Sequence, residues 1–294
     1  MQAIMSFLLI SIVAIMLPRA SVSANRVAQV IETEPTIKDA EDPRPAPQSG
    51  LVQFERVSFT YPGASEPAIQ DISFEARPGQ ITAVIGSTGS GKSTLANLIP
   101  RFYDATSGVV KIDGIDVRAL KLEDLYARIG FIPQKAVLFS GTVKSNIAYG
   151  APKATDEQIE HAAQTAQALD FIKELEHQFD HPIAQGGGNV SGGQKQRLAI
   201  ARALLLDPEI YIFDDSFSAL DFKTDAALRQ ALFQETAHKT VLIVAQRIST
   251  IMQADQIIVL DEGQMVGMGT HEELMKSCQV YHEIALSQLS ESEL

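Results

Sequence analysis

Nine consecutive residues, Gly86-Ser87-Thr88-Gly89-Ser90-Gly91-Lys92-Ser93-Thr94, carry types and a spacing that can hold phosphate. Gly86, Gly91, Lys92 and Ser93 occupy the fixed positions of G-x-x-x-x-G-K-[ST]. Glycines let backbone N–H groups turn inward without a Cβ clash. Those donors, with the positive end of a following helix, grip phosphate oxygens. Lys92 reaches the terminal phosphates, and the Ser93 hydroxyl can ligate Mg²⁺. Such a loop works only between a strand and a helix. The apolar run Ile81-Thr82-Ala83-Val84-Ile85 reads as a buried strand, and Leu95-Ala96-Asn97-Leu98-Ile99 as the start of a helix. Two further stretches bear on the same chemistry. Asn189-Val190-Ser191-Gly192-Gly193-Gln194 leads into a helix that Ser191 can cap, which presents bare N–H donors at its start. Ile210-Tyr211-Ile212-Phe213 is an apolar strand that ends in Asp214-Asp215, and a strand-end carboxylate beside a phosphate loop is a Mg²⁺-holding arrangement.

The elements that position these residues follow from pattern. Val52–Phe59 and Ile69–Ala76 read as strands closed by Pro and Gly. Val109–Val117 reads as a hairpin turning at Asp113-Gly114. Ile129–Pro133 is a short strand ending on Gln134, Ala136–Leu206 is helical in several pieces, and Thr240–Ala245 and Ile257–Leu260 are apolar strands. Thr270 to Leu289 reads as terminal helices. Buried strands alternating with helices define an α/β domain with a mostly parallel core sheet.

With 294 residues and 45% hydrophobic content, the chain can bury a sizeable core. A formal net charge of -12 argues against a general nucleic-acid binder, and no nucleic-acid partner is expected. One cysteine, Cys278, excludes an intrachain disulfide and a multi-cysteine metal site. Ala3 to Leu17 is apolar apart from Ser6 and Ser11, and falls short of the ~20 residues of a complete span. Three readings stand: a signal peptide with Ser21-Val22-Ser23-Ala24 as its small-residue site, an interfacial or buried helix, and the end of a last transmembrane helix. No Lys or Arg precedes the run, and Arg19 and Arg26 follow it, so the third is preferred. Glu32 to Gly50, with Pro35, Pro43, Pro45 and Pro47, reads as an extended linker. The expected division is residues 1–34 for the helix and its cytoplasmic extension, 35–50 for the linker, and 51–290 for the globular domain.

Residues 51–290 resemble the nucleotide-binding domain of ATP-binding cassette transporters, most closely the exporter type. Gly86–Thr94 resembles the Walker A loop, Val190–Gln194 the signature sequence with Val where Leu is usual, and Asp214 the Walker B aspartate. The resemblance assigns Tyr61 to adenine stacking, Gln134 to Mg²⁺ sensing and to the face toward the transmembrane domains, and Ser218-Ala219-Leu220-Asp221 to the crossing loop between domains. It implies a P-loop NTPase core, an antiparallel β subdomain, an α-helical signature subdomain and a short apolar N-terminal helix. It also implies ATP and Mg²⁺ as ligands, with Ser93, Gln134 and Asp214 at the metal. Two such domains would meet head to tail, each ATP lying between one Walker A loop and the other chain's Ser191-Gly192-Gly193-Gln194 equivalent. The site would lie on the cytoplasmic face of the cell membrane, and the chain would be the C-terminal part of an exporter half.

Two positions depart from the family pattern. The residue after the Walker B aspartate is usually glutamate and here is Asp215; the switch histidine is replaced by Gln246. Ala184-Gln185-Gly186-Gly187-Gly188 also lacks a glutamate frequent there. Catalytic roles are expected of Lys92, Gln134, Asp215 and Gln246. Both departures fall on the catalytic constellation while the nucleotide-holding residues stay intact. A degenerate, slow ATP site in a heterodimer is therefore expected. An ATP-binding regulatory subunit and a soluble cassette ATPase of another system are the alternatives.

Overall fold

Strands that are apolar at every position need cover on both faces, and the central sheet has it. The structure, a computed structural model, describes residues 2–45 and 47–288. Six strands form that sheet: β3 (Ile81–Gly86), β6 (Ile129–Ile132), β9 (Ile210–Asp214), β10 (Thr240–Val244), β11 (Gln256–Asp261) and β12 (Gln264–Gly269). Their order is β12-β11-β3-β10-β9-β6, parallel throughout except for the antiparallel β11–β12 edge. Side chains alternate between two cores. Val84, Ile212, Leu242 and Ile258 face one, and Ala83, Phe213, Ile243 and Ile257 face the other.

The first core is closed by an antiparallel sheet of β1 (Val52–Phe59), β2 (Ile69–Ala76), β4 (Ser107–Ile112) and β5 (Ile115–Asp116), ordered β2-β1-β4-β5. The β4–β5 turn is Asp113-Gly114, with φ of 53° and 78°. Two successive positive φ values are what a tight hairpin turn of this hand requires. α2 (Lys92–Leu98) and α3 (Leu122–Ala127) lie on this side. The second core is covered by α4 (Val143–Ile147), α5 (Asp156–Thr165), α6 (Leu169–Glu174), α7 (Gly192–Leu205) and α8 (Phe222–Glu235). It also takes in α9 (Ile248–Ile251), α10 (His271–Ser277) and α11 (Gln279–Gln288), and a two-stranded pair, β7 (Gly141–Thr142) with β8 (Pro182–Ile183), interrupts the helical region. The expected α/β class, antiparallel subdomain and helical region are all present. α2 begins at Lys92 rather than at Leu95, because the loop glycines turn the chain directly into the helix. β12 has no counterpart in the sequence reading: its glycines and methionines, Met265-Val266-Gly267-Met268-Gly269, lack β-branched alternation.

The chain divides into two units, residues 1–38 and 39–294. The first contains α1 (Gln2–Ile31), which at 30 residues is longer than the apolar run alone. Helical hydrogen bonding continues beyond Pro18 and Arg19, so the expectation of a segment too short to span a membrane is corrected. α1 is long and apolar enough to cross one, with a mean hydropathy of 2.1 over its best window. In the second unit, the described residues among 39–50 have neither helix nor strand, and they are tied to the domain. Asp39 Oδ1 accepts from Leu122 N at 2.7 Å, Arg44 N donates to Ala119 O at 2.8 Å, and Arg128 Nη1 donates to Pro47 O at 2.6 Å. Asp113 then caps the segment's end, accepting from Leu51 N at 2.8 Å and from the Ser49 hydroxyl. Position 46 of the linker, and positions 289 and 290 at the expected end of the domain, lie outside the described residues.

Candidate functional site

β3 delivers the chain into the phosphate loop, and the loop's shape depends on two close approaches. A Cβ at Gly86 would stand 2.0 Å from Leu260 O on β11. Gly91, at φ +96°, would place one 2.5 Å from Ile69 Cγ2 and 2.6 Å from Ala68 O. Only glycine allows the loop to pass between β11 and the start of β2. Ser90 is buried within the turn, and its hydroxyl has no hydrogen-bond partner. Lys92, also buried, folds back so that Nζ donates to Gly86 O at 2.9 Å and Ser87 O at 2.6 Å. Burial pushes its ammonium pKa down, against the opposing pull of the Asp215 and Asp214 carboxylates.

The neighbouring strands bring in the carboxylates. Asp214 ends β9, and its Oδ1 accepts from Ser93 Oγ at 2.8 Å. Burial raises the Asp214 carboxyl, the Ser93 bond lowers it, and the neighbouring Asp215 charge raises it again. Asp215 adopts a left-handed φ of 47°. Aspartate tolerates that region better than most residues. Its backbone is fixed from both sides, with Asp215 N donating to Val244 O at 2.9 Å and Ser218 Oγ donating to Asp215 O at 2.8 Å. One oxygen of its side chain takes two amides: Gln134 Nε2 and Gln246 Nε2 each donate to Asp215 Oδ2 at 2.8 Å. Burial is the largest influence and raises this carboxyl, while the Gln134 bond and the Lys92 and Arg247 charges pull it back.

A cleft of about 340 Å³ opens over these groups. Tyr61, Thr88, Gly89, Gly91, Lys92, Ser93, Thr94, Gln134, Asp215 and Gln246 line it, so the fold gathers most of the residues singled out from the sequence. Tyr61 stands at its rim, with its Oη 3.1 Å from Thr94 Oγ1 and its ring edge-on to Phe59 and Tyr103. Gly86 and Ser87 contribute through carbonyls bonded to Lys92. Ala68 and Val244 also line the cleft and escaped the sequence reading, since neither carries a polar signal.

Ser191, Gly192, Gly193 and Gln194 are not among the lining residues. They start α7, where Ser191 Oγ accepts from Gln194 N at 3.2 Å and Gln194 Oε1 accepts from Ser191 N at 2.9 Å. Ser191 thus caps the helix as expected, and the Gln194 side chain reciprocates. Within one chain, the two glycine-rich motifs therefore serve different surfaces.

The donor set fits the expected ligands. The glycine cradle leaves room where a Cβ would intrude, and Ser93 Oγ, Asp214 and the Oε1 of Gln134 are the hard oxygen donors that Mg²⁺ takes.

A mostly parallel sheet with a glycine loop, a following helix and a strand-end carboxylate defines an α/β phosphate-binding domain. The ABC transporter family profile matches residues 69–218, and the chain belongs to that family. Membership brings ATP binding with it. An uncharacterized ABC transporter ATP-binding protein of Mycobacterium tuberculosis is 47% identical over 98% of this chain and 50% of its own length. The ATP-dependent lipid A-core flippase of Vibrio vulnificus is 44% identical over 82% of the chain and 42% of its own length. A solved structure of a bacterial Atm1-family ABC exporter with ATP bound superposes with a TM-score of 0.87 at 34% identity, over 94% of this chain and 48% of that one. The chain thus spans about half the length of the curated relatives it matches.

Proposed function

We propose that this chain is the ATP-binding and ATP-hydrolysing part of an exporter, and that its own ATP site is slow. Lys92 and the loop N–H groups hold the phosphates, Tyr61 stacks on the adenine, and Ser93, Asp214 and Gln134 hold Mg²⁺. The ion, when bound, neutralises charge on the phosphate oxygens. Asp215 is then the base that orients the attacking water. The carrying observation is the double grip on that base by Gln134 and Gln246. Two donors on one oxygen occupy the acceptor positions that an attacking water would need. Asp215 is also one methylene shorter than glutamate, and in phosphoryl transfer a displacement of ~1 Å can cost ~100-fold. Gln246 is a neutral amide and cannot carry the charge that a histidine can.

The separation of Ser191–Gln194 from the cleft supports a head-to-tail pairing, in which this chain's signature completes the site of a second nucleotide-binding domain. In our reading that partner is a different chain with a competent base, so the assembly is a heterodimer. α1 is the end of the last transmembrane helix, residues 35–50 connect it to the domain at 51–290, and the domain lies on the cytoplasmic face of the membrane. The substrate crosses through transmembrane helices of the assembly. Its export is powered mainly at the partner's site.

The test is ATP turnover of the purified chain, wild type beside Asp215→Glu/Gln246→His. The wild type is expected to bind ATP with Mg²⁺ and turn over slowly, and the double change to raise turnover by about tenfold or more. Fast wild-type turnover that the double change leaves alone would make Asp215 an adequate base and favour a homodimer.

A further inference from the structure

Gln246 is held in place by a residue far along the chain. Gln288, the last residue of α11, lays its side chain across the backbone at Arg247. Its Oε1 accepts from Ile248 N at 2.9 Å, and its Nε2 donates to Gln246 O at 2.9 Å. One planar amide thus engages a carbonyl and an N–H two residues apart. That is possible only where the two point the same way, as along the edge of an extended segment. Arg247, at φ -106° and ψ 128°, is such a residue.

The bond from Ile248 N also meets a local need. Arg247 is the N-cap of α9, and its side chain makes no capping bond. The first N–H groups of a helix lack intrahelical partners, and Gln288 satisfies one of them from outside. Arg247 carries only donors and cannot cap those N–H groups itself.

Gln288 is itself well founded. Tyr281 and Ala285 on α11 are fully buried, and Tyr281 Oη lies 2.8 Å from His271 Nδ1. A second tether holds α9 itself: Arg229 on α8 donates to Ser249 O at 3.0 Å and to Asp225 Oδ2 at 3.0 Å. The backbone between β10 and α9 is therefore clamped, and the Gln246 side chain leaves it aimed at Asp215 Oδ2.

We propose that Gln288 is a positioning residue which, by pinning the backbone of Gln246 and Ile248, keeps the Gln246 amide on Asp215 and so keeps this site slow. The proposal rests on reading the cleft as the ATP site. Freeing one of the two amides leaves Asp215 Oδ2 with an acceptor position open to a water, an advantage of about one hydrogen bond, or about fivefold in rate.

The experiment uses the full chain in detergent. Single-turnover hydrolysis at saturating ATP–Mg²⁺, the half-saturating ATP concentration, and hydrogen exchange at the Ile248 amide are measured together. Gln288→Ala is expected to raise the single-turnover rate about fivefold, leave half-saturation within about twofold, and speed Ile248 exchange by about tenfold. Gln288→Glu keeps the acceptor for Ile248 but sets an oxygen against Gln246 O. It is expected to raise the rate while Ile248 stays protected. In a Gln246→Ala background, Gln288→Ala should no longer change the rate, and Gln279→Ala on the same helix should change nothing. A Gln288→Ala rate at or below wild type overturns the proposal, as does an effect that persists without Gln246. Lys92→Ala is run alongside. ATP binding that survives it overturns the reading of the cleft and this proposal together, whereas lost binding beside an inert Gln288→Ala overturns this proposal alone.

Discussion

The phosphate loop makes a paired prediction about two of its glycines. Gly89 and Gly91 both sit at left-handed φ, +86° and +96°. Replacing either by alanine puts an L-residue in that region, at a cost of ~1–2 kcal/mol. The surroundings differ. A Cβ at Gly89 meets nothing within 4 Å, while one at Gly91 meets Ile69 Cγ2 at 2.5 Å and Ala68 O at 2.6 Å. Forcing such a contact adds ~1–3 kcal/mol, because β2's first residues must shift away from α2. Gly89→Ala should therefore cost ~1–2 kcal/mol and Gly91→Ala ~2–5 kcal/mol. For a domain of this size, 1 kcal/mol moves Tm by about 2–4 °C. Scanning calorimetry should place Gly89→Ala a few degrees below wild type and Gly91→Ala clearly below Gly89→Ala. ATP binding should follow the same order, since Ala68 lines the cleft and must move in the second variant only. Equal melting losses would show that backbone conformation alone decides the cost and that the close approach to Ala68 and Ile69 carries none.

Two further outcomes follow from buried charge. Burial raises the Asp215 carboxyl. The stability tied to that shift is present below the unfolded carboxylate pKa and lost as pH rises through the folded value, so the charge is a penalty at neutral pH. Asp215→Asn should melt above wild type at pH 7 by on the order of 2 °C, the gap closing toward about pH 4; equal or lower melting at neutral pH would refute the sign. Arg128 pairs with Asp113, whose side chain is 2% exposed, and also holds Pro47 O. Arg128→Ala should cost about 3 kcal/mol, read by calorimetry, and should expose residues 39–50 to limited proteolysis; a segment that stays protected would show that its other bonds suffice.

Much of the fold and the nucleotide cradle is legible in the sequence because the determinants are local. The order of glycines, lysine and serine in residues 86–94, the Ser191–Gln194 cap and the Asp113-Gly114 turn are each set by neighbours within a few residues. Runs such as Ile210–Phe213 reveal burial on both faces for the same reason: every position is apolar. The pattern fails where it is weak or interrupted. β12 lacks alternation, α1 runs past a proline and an arginine, and the linker's prolines do not disclose that its backbone is bonded to Ala119 and Arg128.

The chemical state of the site was decided only by tertiary structure. Sequence names Asp215, Gln134 and Gln246 but not that both amides converge on one carboxylate oxygen, across separations of 81 and 31 residues. Nor does it disclose Gln288, which reaches Gln246 from 42 residues away. A hydrogen bond falls off steeply with distance and angle, so these partnerships exist only once the parallel strands have set β9, β10 and the end of β6 side by side and α11 has packed its buried face. Local spacing specifies which groups are available; the packed sheet and helices specify which atom each of them holds.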